Sequence, residues 1–458
     1  MKFGSRTLGY AFLQQVTFQG FQFLSFLILV RILTPTNVGI WTLYLTFHAF
    51  FEMARTSFIH NGFIKYWVGE VEERNGIFSA ALCLQFISAL LIVGLFAGIA
   101  WGFADKFQAP QLHNMAWFYP LVALPACLFQ MLRSFLVAQN DFKSIWFGVM
   151  GLGASLFTGV ILMYIWNRTE DLILLQRFQI LGYCLGMLIL YALSRKELPR
   201  LTLSGKWIGK LFHFGKYSMG SGIGSMLFTK MDVFMLGYLV GPAAVGIYSV
   251  ATRINNYLDL PQNAFSQAYY PQISSKIQES GIEFPLLTVR KAIAMMWIFA
   301  IPTALVFLIF PKPILFLLAG ETYYTAAPLL QIFACMVLIK PFGRVFGITL
   351  DAIGKPQWNF HMLLVSLVIN AIMNYLLIQL MGIQGAAWGT MLATWVSILM
   401  GQYLISRFFK ISYKVLIQGI VTEIYQTLQR IIPSGHSKYT TKEFQLEKND
   451  VHEQQGIS

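Results

Sequence analysis

The sequence predicts an all-α integral membrane protein with about twelve transmembrane helices in two similar halves. Three observations support this fold class. First, 56% of the residues are hydrophobic and only 12% are charged, whereas a soluble domain carries roughly 25% charged residues. Second, the apolar runs are long enough to cross about 30 Å of hydrocarbon as helices. Third, one ten-residue segment occurs twice, as LTPTNVGIWT at 33–42 and VGPAAVGIYS at 240–249.

The apolar runs set the number and position of the predicted helices. They are too long and too uniformly apolar for barrel strands, and a helix satisfies its own backbone groups inside lipid. The sequence lacks a cleavage site near its start, so the first run is expected to be a retained helix. The expected spans are 11–33, 38–59, 77–103, 112–138, 144–166, 172–193, 214–240, 245–270, 289–310, 326–350, 357–380 and 383–407.

The repeated segment indicates an internal duplication. Proline, valine, glycine and isoleucine occupy the same places in both copies, and the same offset places Glu52 on Asp259. A slightly larger offset places Arg133 on Arg344. Repeats with an even number of helices run parallel, and such transporters bind substrate between the halves. We therefore expect two parallel six-helix bundles.

The expected domains follow from these spans. The bundles occupy 1–193 and 214–407, and a basic cytoplasmic linker at 194–213 joins them. A cytoplasmic tail at 408–458 begins with apolar residues at helical intervals, which predict an amphipathic helix at 411–432 on the membrane surface. The rest of the tail is polar and predicts disorder.

Basic residues predict the orientation in the plasma (inner) membrane. The loop SRKELPRLTLSGKWIGK at 194–210 is strongly basic, and Lys143 and Lys355 lie in other loops on the same side. The opposite loops offer little beyond Lys106, Arg168 and Lys312. The positive-inside rule then places both termini in the cytoplasm. The same loops carry most of the net charge of +13, so nucleic-acid binding is not required to explain it. They would also favour an anionic inner leaflet.

Several ionisable residues fall inside predicted spans, where a charge is costly unless it faces a partner or water. Lys230, Asp232 and Arg253 lie about 12–15 Å from the outer end of their helices, so they could meet. The cationic candidates are Lys230, Arg253, Arg31, Lys340, Arg344 and Arg133, and the acidic candidates are Asp232, Glu52 and Asp259.

Two interpretations of these charges remain open from the residues alone. In the first, they line a watery central cavity that binds an anion such as a phosphate or pyrophosphate, for which Arg and Lys are suited. In the second, they are structural ion pairs, Glu52 with Arg55 and Asp232 with Lys230 or Arg253. Arg133 and Arg344 would then extend to the interface.

Three segments resemble polysaccharide flippases, the Wzx-type O-antigen transporters of the multidrug/oligosaccharidyl-lipid/polysaccharide superfamily. The first is KMDVFMLGYLVGPAAVGIYSVATRINNYLDLPQNAFSQAYYPQIS at 230–274, which is similar to the seventh and eighth helices of that family. The second is LVRILTPTNVGIWTLY at 29–44, which looks like its N-terminal signature. The third is NAIMNYLLIQLMGIQGAAWGTMLA at 370–393. The resemblance as a whole runs from about residue 10 to residue 407.

The resemblance implies a V-shaped pair of bundles around a central cavity. It implies transfer of an undecaprenyl-pyrophosphate-linked oligosaccharide to the outer leaflet, coupled to protons or sodium, with no ATP and no cofactor. By position, Lys230, Asp232 and Arg253 match the family's motif on helices seven and eight, and Arg31 matches its first-helix motif. Polysaccharide polymerase and chain-length proteins are candidate partners.

On this hypothesis, the pyrophosphate pairs with Lys230 and Arg253, with Lys340 or Arg344 nearby, and protonation of Asp232 shifts the affinity. Three other classes stay open: a multidrug exporter of the same superfamily, a lipid II flippase, and a membrane glycan polymerase. The drug exporter would favour acidic groups, the lipid II flippases carry additional helices, and the polymerase needs a large outer loop. The deep charges argue against a non-transporting scaffold.

Overall fold

The computed structural model describes residues 5–168, 170–202, 204–280, 286–408 and 420–425. Within these ranges every regular element is helical, so the predicted all-α class is confirmed. In the tail only 420–425 is described, and it is helical. The rest of the predicted amphipathic helix and the polar end of the chain lie outside the described residues.

Between residues 5 and 408, the described chain contains thirteen α-helices and one short 3₁₀ helix, Glu321–Ala326. The α-helices are α1 (Ser5–Ile32), α2 (Pro35–Gly69), α3 (Arg74–Phe103), α4 (Gln111–Ala138), α5 (Phe142–Ile165), α6 (Leu172–Ser194), α7 (Gly205–Leu239), α8 (Pro242–Ser280), α9 (Leu286–Ile309), α10 (Pro311–Leu318), α11 (Ala327–Ala352), α12 (Pro356–Met381) and α13 (Ile383–Phe408).

Nine helices of the described chain are long and apolar enough to cross a membrane. The other long helices, α2, α7 and α8, have 35, 35 and 39 residues, well above the roughly 20 that a span needs. They fall short in apolar character because they carry most of the deep charges, among them Glu52, Lys230 and Asp259. The protein is therefore a multi-pass membrane protein whose most polar helices are α2, α7 and α8.

The two copies of the repeat form the turns between α1 and α2 and between α7 and α8. In the first copy, Thr34 caps α2 by accepting a hydrogen bond from the Asn37 amide at 3.3 Å, and Pro35 follows at the first helical position, where it is well tolerated. In the second copy, Gly241 has φ +114°, a conformation that favours glycine. Both turns lie at the same end of the molecule, which we call the turn end.

The two halves are packed in the same order. In the first half α1 packs on α5, α2 on α3, α3 on α4, and α4 and α5 on α6. In the second half, the contacts α7–α12, α8–α9, α9–α11, α11–α13 and α12–α13 follow the same scheme. The short α10 and the 3₁₀ helix have no counterpart in the first half and lie between α9 and α11, a position where the sequence predicted only a loop.

Helix α2 joins the halves by packing on both α7 and α8. At the turn end, Gly39 meets the carbonyl oxygen of Pro242, and Gly246 meets the carbonyl oxygen of Pro35. A Cβ at either glycine would overlap that oxygen. The proline and glycine that the two copies share are thus the residues that bring the two halves together, and we call this contact the paired-glycine contact.

At the opposite end, which we call the linker end, α7 begins against the turn between α2 and α3. The Lys206 ammonium lies 2.6 Å from a Glu73 carboxylate oxygen, and the Trp207 indole N–H donates to the other oxygen. These two donors lower the pKa of Glu73 below its ordinary value of 4.5. The start of the second half is therefore anchored to the first half by a hydrogen-bonded carboxylate.

Candidate functional site

Asp259 of α8 forms ion pairs with two cations of α11. Lys340 Nζ lies 2.8 Å from Asp259 Oδ2, and Arg344 Nη2 lies 3.4 Å from Asp259 Oδ1. Arg344 also donates to the Asn263 side-chain oxygen. All three charged side chains are between 16% and 23% exposed. One carboxylate against two cations leaves this group with a net positive charge.

The equivalent acidic residue of the first half is paired differently. Arg55 donates to Glu52 at 2.6 Å along the same helix, and the two side chains are only 1% and 12% exposed. The interpretation of Glu52 and Arg55 as an ion pair is therefore confirmed. Because Glu52 is already paired with Arg55, it is not available to the cation of α4, Arg133.

Arg133 is that cation, and it corresponds to Arg344 of the second half. Its Nη1 reaches the Gln130 side-chain oxygen at 3.5 Å, and its buried Nε has no hydrogen-bond partner. No carboxylate in the described part of the chain forms an ion pair with it. Arg133 thus has no counter-charge among the described residues of the first half.

Asp232 of α7 is held by α8, not by a cation. It accepts a hydrogen bond from the Tyr248 hydroxyl and another from the Val233 amide at 2.9 Å. The predicted alternative, an ion pair of Asp232 with Lys230 or Arg253, is wrong. Residues two apart on a helix point about 200° apart, so Lys230 and Asp232 face different neighbours despite their similar depth.

Lys230 and Arg253 consequently have no ion-pair partner among the described residues. Arg253 crosses to the first half, where its guanidinium lies 4.3 Å from the centre of the Phe26 ring. A cation over an aromatic face is stabilised by about 0.5–2 kcal/mol, which holds the group in place and leaves its N–H donors available. Arg253 also borders an apolar cavity of about 110 Å³ that Gln22 and Trp41 help to line.

Arg31 lies apart from the other cations, at the turn end. It is exposed, and its guanidinium donates to the carbonyl oxygen of Leu317, in the last turn of α10. That carbonyl has no partner within its own helix. Arg31 thus joins the two halves at their turn end.

Two buried polar groups of the site region could not be located from the sequence charges. Tyr248 belongs to the second copy of the repeat and is fully buried. Asn370 of α12 donates to the Thr390 hydroxyl of α13 at 3.2 Å, and Asn374 donates to Asn370 at 3.1 Å. The Asn370–Thr390 bond joins α12 to α13, whereas the Asn374–Asn370 bond lies within α12.

Comparison with solved structures defines the class of the protein as a membrane protein with the fold of the multidrug/oligosaccharidyl-lipid/polysaccharide superfamily. A lipid II flippase, MurJ, in an inward closed conformation is similar with a TM-score of 0.72 and 13% identity over 94% of each chain. An inward-facing multidrug resistance MATE family transporter is similar with a TM-score of 0.69 and 15% identity, covering 86% of this chain and 95% of the other. At these identities the likeness concerns the fold.

The chain belongs to the polysaccharide biosynthesis protein family, whose model matches residues 28–328. The resemblance stated from the sequence motifs is thereby confirmed. A probable low-salt glycan biosynthesis flippase, Agl15 of Haloferax volcanii, is 28% identical over 234 residues, which are 50% of this chain and 49% of that protein. The chain spans about half the length of that curated relative. The named relatives are transporters, not enzymes.

Proposed function

We propose that this protein moves an undecaprenyl-pyrophosphate-linked oligosaccharide from the cytoplasmic to the outer leaflet of the plasma membrane for surface polysaccharide synthesis. The observation that carries the proposal is the surplus of cations on α4, α7, α8 and α11. Lys230, Arg253 and Arg133 have no acidic partner in the described chain, and the Lys340–Arg344–Asp259 group is net positive. An uncompensated charge inside a membrane is costly, so a site of this kind calls for an anionic ligand.

Each part of such a substrate has a place in the proposed mechanism. The pyrophosphate binds Lys230 and Arg253, and the group around Arg344 attracts it into the cleft. The glycan follows through water between the halves, and the polyprenyl chain stays in lipid. The two six-helix bundles then rock about α2, α7 and α8, so that the V-shaped cavity opens to the other side.

Asp232 is the proposed coupling residue. Its carboxylate is partly buried against Tyr248 at the depth of Lys230 and Arg253, so a proton or sodium ion taken up there changes the electrostatic field that the pyrophosphate meets. Glu52 and Asp259 are weaker candidates because each already holds an arginine or lysine.

The proposed orientation places the linker end in the cytoplasm with both termini. The basic 194–210 segment lies at that end, as the positive-inside rule requires. The turn end, with Arg31 and the paired-glycine contact, then faces the outer side. A polymerase or chain-length protein would receive the product there.

A multidrug exporter is the second candidate, because the MATE transporter shares the fold. Cationic drugs require free carboxylates. In this chain Glu52 and Asp259 are ion-paired, and Asp232 is hydrogen-bonded to Tyr248, whereas the free groups are cations. The charge balance of the cleft therefore favours an anionic substrate.

The test is transport of labelled undecaprenyl-pyrophosphate oligosaccharide in sealed proteoliposomes, followed by its access to an external glycosidase. Lys230→Ala and Arg253→Ala each remove a charge-assisted contact worth about 1.5–3 kcal/mol, so each should slow transport by about tenfold or more. Lys216→Ala is the matched control for Lys230→Ala, because Lys216 also lies on α7, is exposed and lies over the Tyr217 ring.

Normal transport by both variants would make these charges structural. If the unmodified protein moves no lipid-linked glycan under imposed proton or sodium gradients but moves cationic drugs, the exporter alternative replaces the proposal.

A further inference from the structure

Three glutamines form a row along α1 that the charged residues did not reveal. Gln15, Gln19 and Gln22 are spaced four and three residues apart, and Gln15 and Gln22 are exposed. They lie about 15 to 25 Å from the turn end of α1, within a hydrocarbon layer of about 30 Å. No group of the described chain hydrogen-bonds their amides. Free amides at this depth require either water or a polar ligand.

The contacts of α1 show which way this row faces. At 100° per residue, the three glutamines fall within an arc of about 60°. Thr17 and Phe21 lie on another face, where they contact Trp146 and Phe157 of α5.

The exposed apolar side chains of α1 lie on more than one side of the helix. Leu13 and Leu24, which are 39% and 47% exposed, lie about 160° from the glutamine row. Phe12 and Val16, which are 72% and 49% exposed, lie about 50° and 90° from its centre. The row itself faces the second half, because Phe26 within its arc and Phe23 beside it both contact α8.

The row leads directly to Arg253. Phe26 continues the same arc, one turn beyond Gln22, and its ring carries the Arg253 guanidinium at 4.3 Å. Gln22 and Arg253 also border the same cavity. Phe23, next to Gln22, contacts Tyr257 of α8 edge-on, with ring centres 4.6 Å apart. The guanidinium and the amides are therefore successive parts of one surface.

The chemistry of the row differs from that of the cations. A side-chain amide has two N–H donors and an acceptor oxygen but no charge. Such a group can bond the donor and acceptor sides of a sugar hydroxyl, whereas it adds little to the binding of a phosphate. The row extends over about 10 Å from Gln15 to Gln22, a length that suits more than one sugar ring.

We propose that Gln15, Gln19 and Gln22 bind the glycan of the substrate through its hydroxyl groups while Arg253 holds the pyrophosphate. The inference rests on the proposed flippase function and deepens it, because it assigns a neutral, multi-sugar oligosaccharide to a defined face of α1. The sugar attached to the pyrophosphate lies beside Gln22, and the following sugars extend toward Gln15.

The experiment compares two probes in proteoliposomes: undecaprenyl pyrophosphate carrying chitotriose, and the same lipid carrying one N-acetylglucosamine. The unmodified protein should move the chitotriose lipid faster. Each of Gln15→Leu, Gln19→Leu and Gln22→Leu should slow the chitotriose lipid by about fivefold, the equivalent of one neutral hydrogen bond. The single-sugar lipid should respond only to Gln22→Leu.

Gln14→Leu is the matched control. It makes the same chemical change one residue away, on the face that packs on α5, where the Gln14 amide oxygen is buried. It should leave both rates within about twofold of the unmodified protein. Gln22→Asn keeps an amide and should retain more transport than Gln22→Leu. The unfolding midpoint of each variant shows whether it is folded.

The outcomes separate the two proposals. Failure of the unmodified protein to move either lipid contradicts the flippase function itself. Transport without a preference for chitotriose, or variants that match the unmodified protein, overturns the glycan row and leaves the flippase proposal standing. Equal slowing of both lipids by all three variants also overturns it, because the row would then act on helix packing.

Discussion

His48 illustrates how a polar residue becomes part of the core of the first half. Its Nδ1 lies 3.1 Å from the Tyr119 hydroxyl and its Nε2 lies 3.0 Å from the Tyr183 hydroxyl. The imidazole is 6% exposed, and Tyr119 and Tyr183 are likewise buried. A neutral imidazole has one donor and one acceptor nitrogen, so it donates a hydrogen bond to one tyrosine hydroxyl and accepts one from the other. These bonds join α2 to α4 and α6.

We predict that His48→Leu destabilises the protein by about 2–4 kcal/mol, because it leaves two buried hydroxyls without a partner. The free energy of unfolding in detergent measures the change. Asn255 occupies the equivalent position in the second half, and its buried oxygen has no partner. Asn255→Leu should therefore cost less than about 1 kcal/mol. Equal losses at both positions would contradict this account.

At the scale of residues, the sequence predicted which charges lie deep in the membrane but not which of them are neutralised. The sequence allows a Glu52–Arg55 ion pair, because both lie on one helix three residues apart, but it leaves open whether the pair forms. For Asp232 the sequence offers Lys230 and Arg253 as partners, but it does not indicate Tyr248, which lies on another helix and carries no charge. The glutamine row of α1 is also uncharged, so the pattern of charges does not indicate it, although the spacing of its residues is visible in the sequence.

The helices themselves follow closely from the apolar runs. Each predicted span falls on one long helix, because hydrophobic length is a local property of the chain. The exception is the segment that contains α10 and the 3₁₀ helix. Pro311 and Pro313 begin α10, and Gly320 ends it with φ +92°. Helices this short bury too few residues to produce a clear apolar pattern, so their existence depends on packing.

At the scale of elements, we predict that the anchor of α7 is sensitive to acid. The Lys206 and Trp207 donors hold the pKa of Glu73 below 4.5, so the carboxylate stabilises the fold above that pH. The stabilisation is lost as pH falls below about 4.5 through the lower folded-state pKa. Glu73→Gln should remove this part of the acid sensitivity in thermal unfolding curves measured as a function of pH.

Glu72→Gln is the control for that measurement, because it removes the same charge from the neighbouring exposed residue. If Glu72→Gln and Glu73→Gln changed the pH dependence equally, the effect would reflect overall charge, and the specific anchor would be excluded.

At the scale of the whole molecule, the paired-glycine contact joins the halves at the turn end. We predict that Gly39→Val or Gly246→Val forces the halves apart there, because a side chain cannot share the space of the opposing carbonyl oxygen. Overpacking of this kind costs about 1–3 kcal/mol. Ser249 is buried close to this contact, so Ser249→Cys, in a variant without the four natural cysteines, should react severalfold faster with a membrane-impermeant maleimide when Gly246→Val is added.

Gly94→Val is the control, because a Cβ at Gly94 would meet no atom within 4 Å. Unchanged Ser249→Cys reactivity in the Gly246→Val background would show that the halves do not depend on this contact.

The paired-glycine contact also has a bearing on the origin of the chain. In each half the glycine of the repeat contacts the proline carbonyl oxygen of the other half. This reciprocal arrangement is that of an isologous interface. Two identical half-length chains related by a two-fold axis would meet in the same way. The fused protein therefore keeps within one polypeptide the interface of a homodimer. Its halves can differ at equivalent positions, such as Arg55 and Gln262, whereas the two chains of a homodimer share every substitution.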